Sequence, residues 1–377
     1  MDLYIRNGII EEMGRNLNKQ CDVIDGRGYL LLPAFIDTHA HFRDPGLTYK
    51  EDSVTGSRAA VKGGFTAVNL MANTKPVCST METVNYVMKK AEETGLVDVH
   101  QAVSITKDFN GKDIDHLDVL NDDVKLISED GRDVASSEVM LDAMLKAKEK
   151  GLIVMSHVED EKLVKIDTRL SENVMTIRNI ELAKYAKCKF HLAHVSTKEA
   201  MKMVIDSKKE GYSITCEVTP HHIALTSDIQ YRVNPSLREK EDVDFIINAI
   251  KNGYVDTIGT DHAPHSVEDK QNGAPGLSGI ETAFSVCYTA LVKAGHISLN
   301  KLSEIMSKNA AKLLGFNKGE IKIGMDGDLV LIDISQKYKI SSDNFVSKGK
   351  NTPFEGFEVW GKVIKTIKKG KVVYSED

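Results

Sequence analysis

Apolar residues in the middle of the chain gather into short runs of strand length: 34–41, 66–71, 97–105, 123–130, 152–159, 189–196, 213–220 and 256–263. Between most of them the apolar spacing changes to the helical period. In 136–150, Val139, Met140, Ala143, Met144 and Ala147 share one face, and 197–210 and 239–253 read alike. The segment after Ile105 carries the weakest helical pattern. Eight strands with intervening helices predict an α/β fold, a (β/α)8 TIM barrel over 33–321, rather than an open doubly wound sheet. No glycine-rich dinucleotide or phosphate-loop pattern follows the first of these strands, which weakens a nucleotide-binding reading.

The two ends differ from this middle. Residues 1–32 read as short strands, Leu3-Tyr4-Ile5 and 21–26, with a turn at Asn7-Gly8. The far end, 322–377, repeats the pattern at 328–333, 357–363 and 371–374, punctuated by Gly and Asn. One small β-sandwich domain assembled from both termini is expected beside the barrel.

Composition narrows the class. Hydrophobic residues at 41% and charged residues at 28% suit a globular enzyme, and a net charge of −6 argues against a nucleic-acid surface. The densest basic run, Lys368-Lys369-Gly370-Lys371, reads as a solvated strand end. Five cysteines without a CxxC pair fit reduced thiols, hence the cytoplasm. The first residues carry no apolar leader and no run is long enough to cross a bilayer, so no membrane role is expected.

The chemistry concentrates at strand ends. In an extended chain residues two apart share a face, so His39 and His41 converge, with Asp37 beneath and Arg43 on the same parity before Pro45-Gly46 turns the chain. Catalytic groups of such barrels sit at the C-terminal ends of the strands. The other strands end there in Glu129-Asp130-Gly131, His157, His194 and Asp261. Four imidazoles and two carboxylates suit two divalent ions, zinc first, with iron, manganese or cobalt as alternatives. Such ions activate a water and polarise a carbonyl, and Asp261 can both ligate and carry a proton. Hydrolysis of an amide-like bond, or its reversal by ring closure, follows. A rival bridging group is carboxylated Lys125, but it begins its strand and lies an odd number of residues from Asp130. His100, His116 and His296 fall outside strand ends and read as surface or loop residues. His191 faces away from His194 and reads as structural. His221-His222 can either orient a ligand or pack the core.

These motifs resemble the amidohydrolase superfamily and, within it, bacterial dihydroorotases of type I, whose metals are bridged by aspartate. The resemblance rests on 39–46, Asn73-Thr74-Lys75-Pro76, Asp130-Gly131, Ala193-His194-Val195-Ser196-Thr197, Thr219-Pro220-His221-His222, 233–238, 260–265 and 351–356. It implies reversible cyclisation of N-carbamoyl-L-aspartate to L-dihydroorotate in de novo pyrimidine biosynthesis. It implies one or two Zn2+ per subunit, held by His39, His41, Asp130, His157, His194 and Asp261. Asp130 fits the bridging position, 27 residues before His157. By the same resemblance Arg43, Asn73 and His265 grip the substrate carboxylate, and Asn234 with the Pro275-Gly276 backbone holds the ring. A homo-oligomer and a complex with aspartate transcarbamoylase are the expected partners. Two other readings compete: a hydantoinase- or allantoinase-like enzyme, which would not need Arg43, and a non-catalytic scaffold partner of the transcarbamoylase, which would have lost ligands.

Overall fold

The computed structural model describes residues 1–376. The chain opens with a hairpin, β1 (Asp2–Arg6) and β2 (Ile9–Gly14), turned by Asn7 and Gly8 at φ of 52° and 83°. After β3 (Leu30–Pro33) it enters eight parallel strands: β4 (Phe35–Ala40), β5 (Phe65–Leu70), β6 (Asp98–Gln101), β7 (Leu126–Ser128), β8 (Ile153–Ser156), β9 (Lys189–Leu192), β10 (Ile214–Val218) and β11 (Thr257–Ile258). All eight lie within the expected runs, give or take a residue. They form two arcs, β4-β5-β6 and β7-β8-β9-β10-β11. Parallel bridges Val103–Ile127 and Ala40–His262 close the arcs into a barrel. Every residue of β4 and β5 is buried, which is why the sequence shows continuous runs there instead of alternation.

Helices 137–150, 198–209 and 240–251 fill the expected places. Ser136 and Thr197 cap two of them, accepting from the backbone N–H of Val139 and Ala200. Met140, Ala143, Met144 and Ala147 form the buried face of the first. After Ile105 there are only two short 3-10 turns, Lys107–Phe109 and Asp115–Val119.

The far end supplies β12 (Leu329–Lys339), β13 (Glu358–Lys368) and β14 (Lys371–Ser375), which join β3 in an antiparallel sheet ordered β14-β13-β12-β3. Because β3 runs through Ala34 into β4, this sheet is covalently continuous with the first barrel strand. The buried Lys318 ties them again, pairing with Asp98 of β6 at 2.5 Å and Asp328 at 2.6 Å. No described helix is long and apolar enough to cross a membrane.

Two expectations fail and a third holds only in part. Residues 21–26 are an exposed irregular stretch, not a strand, with Val23 83% exposed; no neighbouring strand offers them a ladder. His100 is not at the surface but buried in β6. Its Nδ1–H donates to Asn69 Oδ1 at 2.6 Å, while its Nε2 accepts the Lys125 N–H at 2.8 Å. His116 lies in the loop after β6, as expected, within the turn Asp115–Val119, but it is buried there, with Nε2 against the Ser104 carbonyl at 2.9 Å. Each ring meets a backbone group, which offsets part of the cost of burying an imidazole, although Nδ1 of His116 has no hydrogen-bond partner among the described residues. His296 is exposed, as expected.

Candidate active site

The six expected ligands meet at the C-terminal end of the barrel. His39 Nε2 lies 3.2 Å from Asp130 Oδ1 and 3.6 Å from Asp261 Oδ1. His41 Nε2 lies 3.1 Å from Asp261 Oδ1 and 3.5 Å from Asp130 Oδ2. On the other side of Asp130, His157 Nδ1 is 3.3 Å and His194 Nε2 3.9 Å away, and these two nitrogens are 2.8 Å apart. Two triads have ligand atoms mutually within 4.8 Å: His39-Asp130-His194 and His39-His41-Asp261. All six residues are buried. Lys125, the rival bridge, is exposed at the opposite end of its strand.

Buried carboxylates hold this cluster in place, and sequence reasoning missed nearly all of them. Glu217 of β10 accepts from His39 Nδ1 at 2.7 Å and Thr38 Oγ1 at 2.5 Å. Asp37 accepts from the backbone N–H of His39 and of Thr260, the residue before Asp261, at 3.1 and 2.8 Å. Glu159 lies 3.0 Å from His157 Nε2. Asp133 accepts from the Val158 N–H at 3.2 Å and Ser156 Oγ at 2.5 Å. Glu172 takes the N–H groups of Ser196 and Thr197 at 2.9 and 3.0 Å and pairs with Arg238 at 2.9 Å. A signal did exist for Glu217: an acid in a strand buried on both faces needs a partner. Glu129 points elsewhere, accepting from Thr106 N at 2.9 Å and from its hydroxyl. His194, Asp261 and Arg43 adopt left-handed backbone, with φ of 34°, 46° and 59°, and so does Val158 at 52°. Non-glycine residues hold this conformation where surrounding bonds enforce it, as at functional sites.

The mouth is built differently. Arg43 lies beyond β4, so its reach owes nothing to strand parity; its Nε is buried without a hydrogen-bond partner. Its loop packs on the next one through Gly46, where an added Cβ would sit 1.8 Å from the Lys75 carbonyl oxygen. Asn73 bonds within the ligand set: Oδ1 accepts from His41 Nδ1 at 2.8 Å and Nδ2 donates to Asp130 Oδ2 at 3.2 Å. His265 Nδ1 lies 3.4 Å from Lys50 Nζ, which also pairs with Asp269 at 3.3 Å. A lysine only donates, so this nitrogen accepts and the Nε2 of His265 carries the proton. Asn234 is half-buried beside Pro235, whose carbonyl accepts from His222 Nε2 at 3.0 Å. His222 thus orients the Asn234 loop rather than a metal ligand. His221 is fully buried with no hydrogen-bond partner on either ring nitrogen among the described residues.

A family model described as the amidohydrolase family matches residues 30–373. The chain belongs to the amidohydrolase family. A dihydroorotase of Clostridium botulinum (strain Eklund 17B / Type B) is 56% identical over 379 residues, covering 100% of this chain and 95% of the relative. A dihydroorotase of Acetivibrio thermocellus is 37% identical, covering 100% and 95%. Among solved structures, a dihydropyrimidinase from Brevibacillus agri NCHU1002 superposes with a TM-score of 0.88 at 26% identity, covering 98% of this chain and 90% of that one. An L-hydantoinase from Arthrobacter aurescens, at 24% identity and a TM-score of 0.90 over 99% and 92%, shares the fold.

In this amidohydrolase the donor set itself calls for cations. His39 commits Nδ1–H to Glu217 and His41 commits Nδ1–H to Asn73, which aims both Nε2 lone pairs at carboxylate oxygens. Lone pair against oxygen is repulsive unless a metal ion, or in its absence a ring proton, lies between them. His39 Nε2 is accordingly a buried atom without a hydrogen-bond partner. The same crowding governs proton affinities. Burial opposes charge on His39, but Asp130 and Glu217 outweigh it and hold its pKa well above the usual value. Burial likewise opposes charge on Asp130, but His39, His157 and His194 outweigh it and keep its carboxyl well below the usual range. At the mouth, burial and the cations Arg43 and Lys50 hold His265 down to about 3, so it stays neutral.

Proposed function

We propose that this chain is a dihydroorotase, interconverting L-dihydroorotate and N-carbamoyl-L-aspartate in de novo pyrimidine biosynthesis. The observation that carries this reading is Arg43: a fixed cation with a free, buried Nε beside the ligand cluster. A substrate bearing a carboxylate needs such a group, and a plain hydantoin does not. The 56% identity to a dihydroorotase supports the same choice over the hydantoinase alternative, whose named examples share the fold at 24–27% identity.

His39, His41 and Asp261 would hold one metal ion, and His157 and His194 a second, with Asp130 between them; zinc is the ion proposed. When bound, such a pair supplies Lewis acidity to a water and to the ring carbonyl. Asp261 takes the attacking water's proton and returns it to the leaving ring nitrogen, and ring closure runs the same transfers backwards. Arg43 and the Nε2–H of His265 receive the substrate carboxylate. Asn73 joins that grip while orienting His41 and Asp130, and Asn234 with the Pro275-Gly276 backbone holds the ring. Glu217 and Asp37 keep His39 and Asp261 in register, so that no ligand has to reorganise during turnover.

The division into a small β domain, 1–32 and 322–377, around a 33–321 barrel belongs to the same proposal. So do a cytoplasmic setting, supported by five free cysteines, a homo-oligomer, and a complex with aspartate transcarbamoylase. The test is ring-opening of dihydroorotate by the purified chain alongside its metal content and mass in solution. Turnover of hydantoins in preference to dihydroorotate would make the alternative correct.

A further inference from the structure

The residues proposed to meet the substrate on the β11 side, His265 and Pro275-Gly276, sit on one excursion of chain leaving the barrel after β11. Its base is closed by the Ala263 N–H donating to the Leu277 carbonyl at 2.8 Å, and Gly276 is also held by the Arg232 carbonyl at 3.1 Å and by Lys270 Nζ at 2.9 Å; above that base, a segment more than seventy residues further along ties the two limbs together. Asn351 Oδ1 accepts the backbone N–H of His265 at 3.1 Å. Its Nδ2 donates to the Gly276 carbonyl at 3.1 Å. Its own carbonyl accepts the Ser278 N–H at 2.7 Å. One side chain therefore spans both limbs of the loop, and its backbone fixes the return strand.

The segment carrying Asn351 is itself anchored to the other wall of the mouth. Ser347 Oγ donates to Glu51 and the Lys348 N–H to Glu51 Oε1 at 3.4 Å. Lys348 Nζ also pairs with Asp52. Glu51 and Asp52 follow Arg43 on the loop after β4. Ser278 Oγ donates to the Gly349 carbonyl at 2.7 Å. Gly349 is packed so closely that an added Cβ would lie 2.6 Å from Pro264 Cβ and 2.9 Å from both His265 N and Asn351 Oδ1. The strap 347–351 thus joins the loop that bears Arg43 to the loop that bears His265.

We infer that Asn351 is a positioning residue for substrate binding: it sets the spacing between the His265 donor and the Gly276 backbone, and it touches neither metal ligand nor reacting atom. The inference rests on the dihydroorotase reading for the identity of the substrate, but not for the clamp itself. The gain is in ground-state grip, since His265 and Gly276 hold parts of the substrate that do not react. Losing the two side-chain bonds is expected to raise KM for dihydroorotate about tenfold, with kcat within about twofold and metal content unchanged.

The experiment compares the full metal-loaded chain with Asn351→Ala and Asn351→Asp. The aspartate keeps shape and Oδ1 but removes the Nδ2 donor. Amide hydrogen exchange over 263–278 should quicken by about tenfold in Asn351→Ala, with 35–41 unaffected, and KM should rise while kcat holds. The aspartate variant should share the KM rise. Three results overturn the inference: exchange in 263–278 like the parent's, faster exchange with an unchanged KM, or kcat and metal content falling together with affinity. If the parent does not open dihydroorotate, the functional reading fails instead, and the exchange comparison still decides whether Asn351 clamps the loop.

Discussion

The floor of the site and its rim are held by opposite means. On the floor every ligand leaves the end of a barrel strand, and buried acids pin it from other strands or loops: Glu217 for His39, Asp37 for the turn into Asp261, Glu159 and Asp133 for His157 and its neighbour. At the rim, Arg43, Asn234, His265 and Gly276 sit on loops, tied by a strap from the far end of the chain. The difference separates two tasks. Donors that are to ligate a metal need to be fixed in advance, because any movement forfeits coordination. A substrate that enters and leaves needs walls that can be tuned without disturbing the donors.

The two regions should therefore fail differently. The largest effect is expected on the floor. Asp130→Ala should lose metal together with activity, and Asp261→Asn should keep its fold and lower kcat by at least about a hundredfold. Metal analysis and turnover of each variant check this, and near-normal turnover by a fully metallated Asp261→Asn would falsify the assigned proton carrier.

Acid should also act on the floor. His100 stands beneath it in a relay from the Thr38 carbonyl through Asn69 to the Lys125 N–H. Burial, with Lys125 nearby, holds the His100 pKa down to about 4 from 6.5. The folded state thus favours the neutral ring, and its contribution is complete above pH 6.5 and lost as pH falls towards 4. At pH 5 the loss is roughly 2 kcal/mol. Urea unfolding at pH 7.5 and 5 measures it; a His100→Gln variant, already destabilised at pH 7.5, should lack this part of the pH slope.

At the rim, Arg43→Met should raise KM for dihydroorotate by about ten- to hundredfold, the scale of one charged hydrogen bond, and leave metal content alone. Loss of metal from this variant would mean that rim and floor are not separable. Between the two regions, Glu217→Gln should weaken metal affinity by about tenfold or more through His39 while KM stays near normal. The smallest effect belongs to Lys125→Ala, exposed at the wrong end of β7. It should shift stability by no more than about 0.5 kcal/mol and leave metal and turnover intact. Metal loss reversed by a short carboxylic acid would instead identify Lys125 as the bridge.

Much of this was legible in the amino-acid order because it is local. Strands buried on both faces write themselves as continuous apolar runs, and a barrel's chemistry gathers where those runs end, so His39, His41, Asp130, His157, His194 and Asp261 could be chosen without coordinates. Local signals also misled. Residues 21–26 have strand-like composition, but a strand exists only where a neighbour offers a ladder, and none does. His100 lies away from a strand end, yet Asn69 and Lys125 make its burial favourable. What tertiary structure alone decided is which distant groups meet. Glu217 reaches His39 across 178 positions, and Asn351 reaches His265 across 86. The physical reason is the same in both cases. Local propensity and period reach over a few residues, whereas hydrogen bonds between strand ends and loops are set by how the closed barrel brings its ends together.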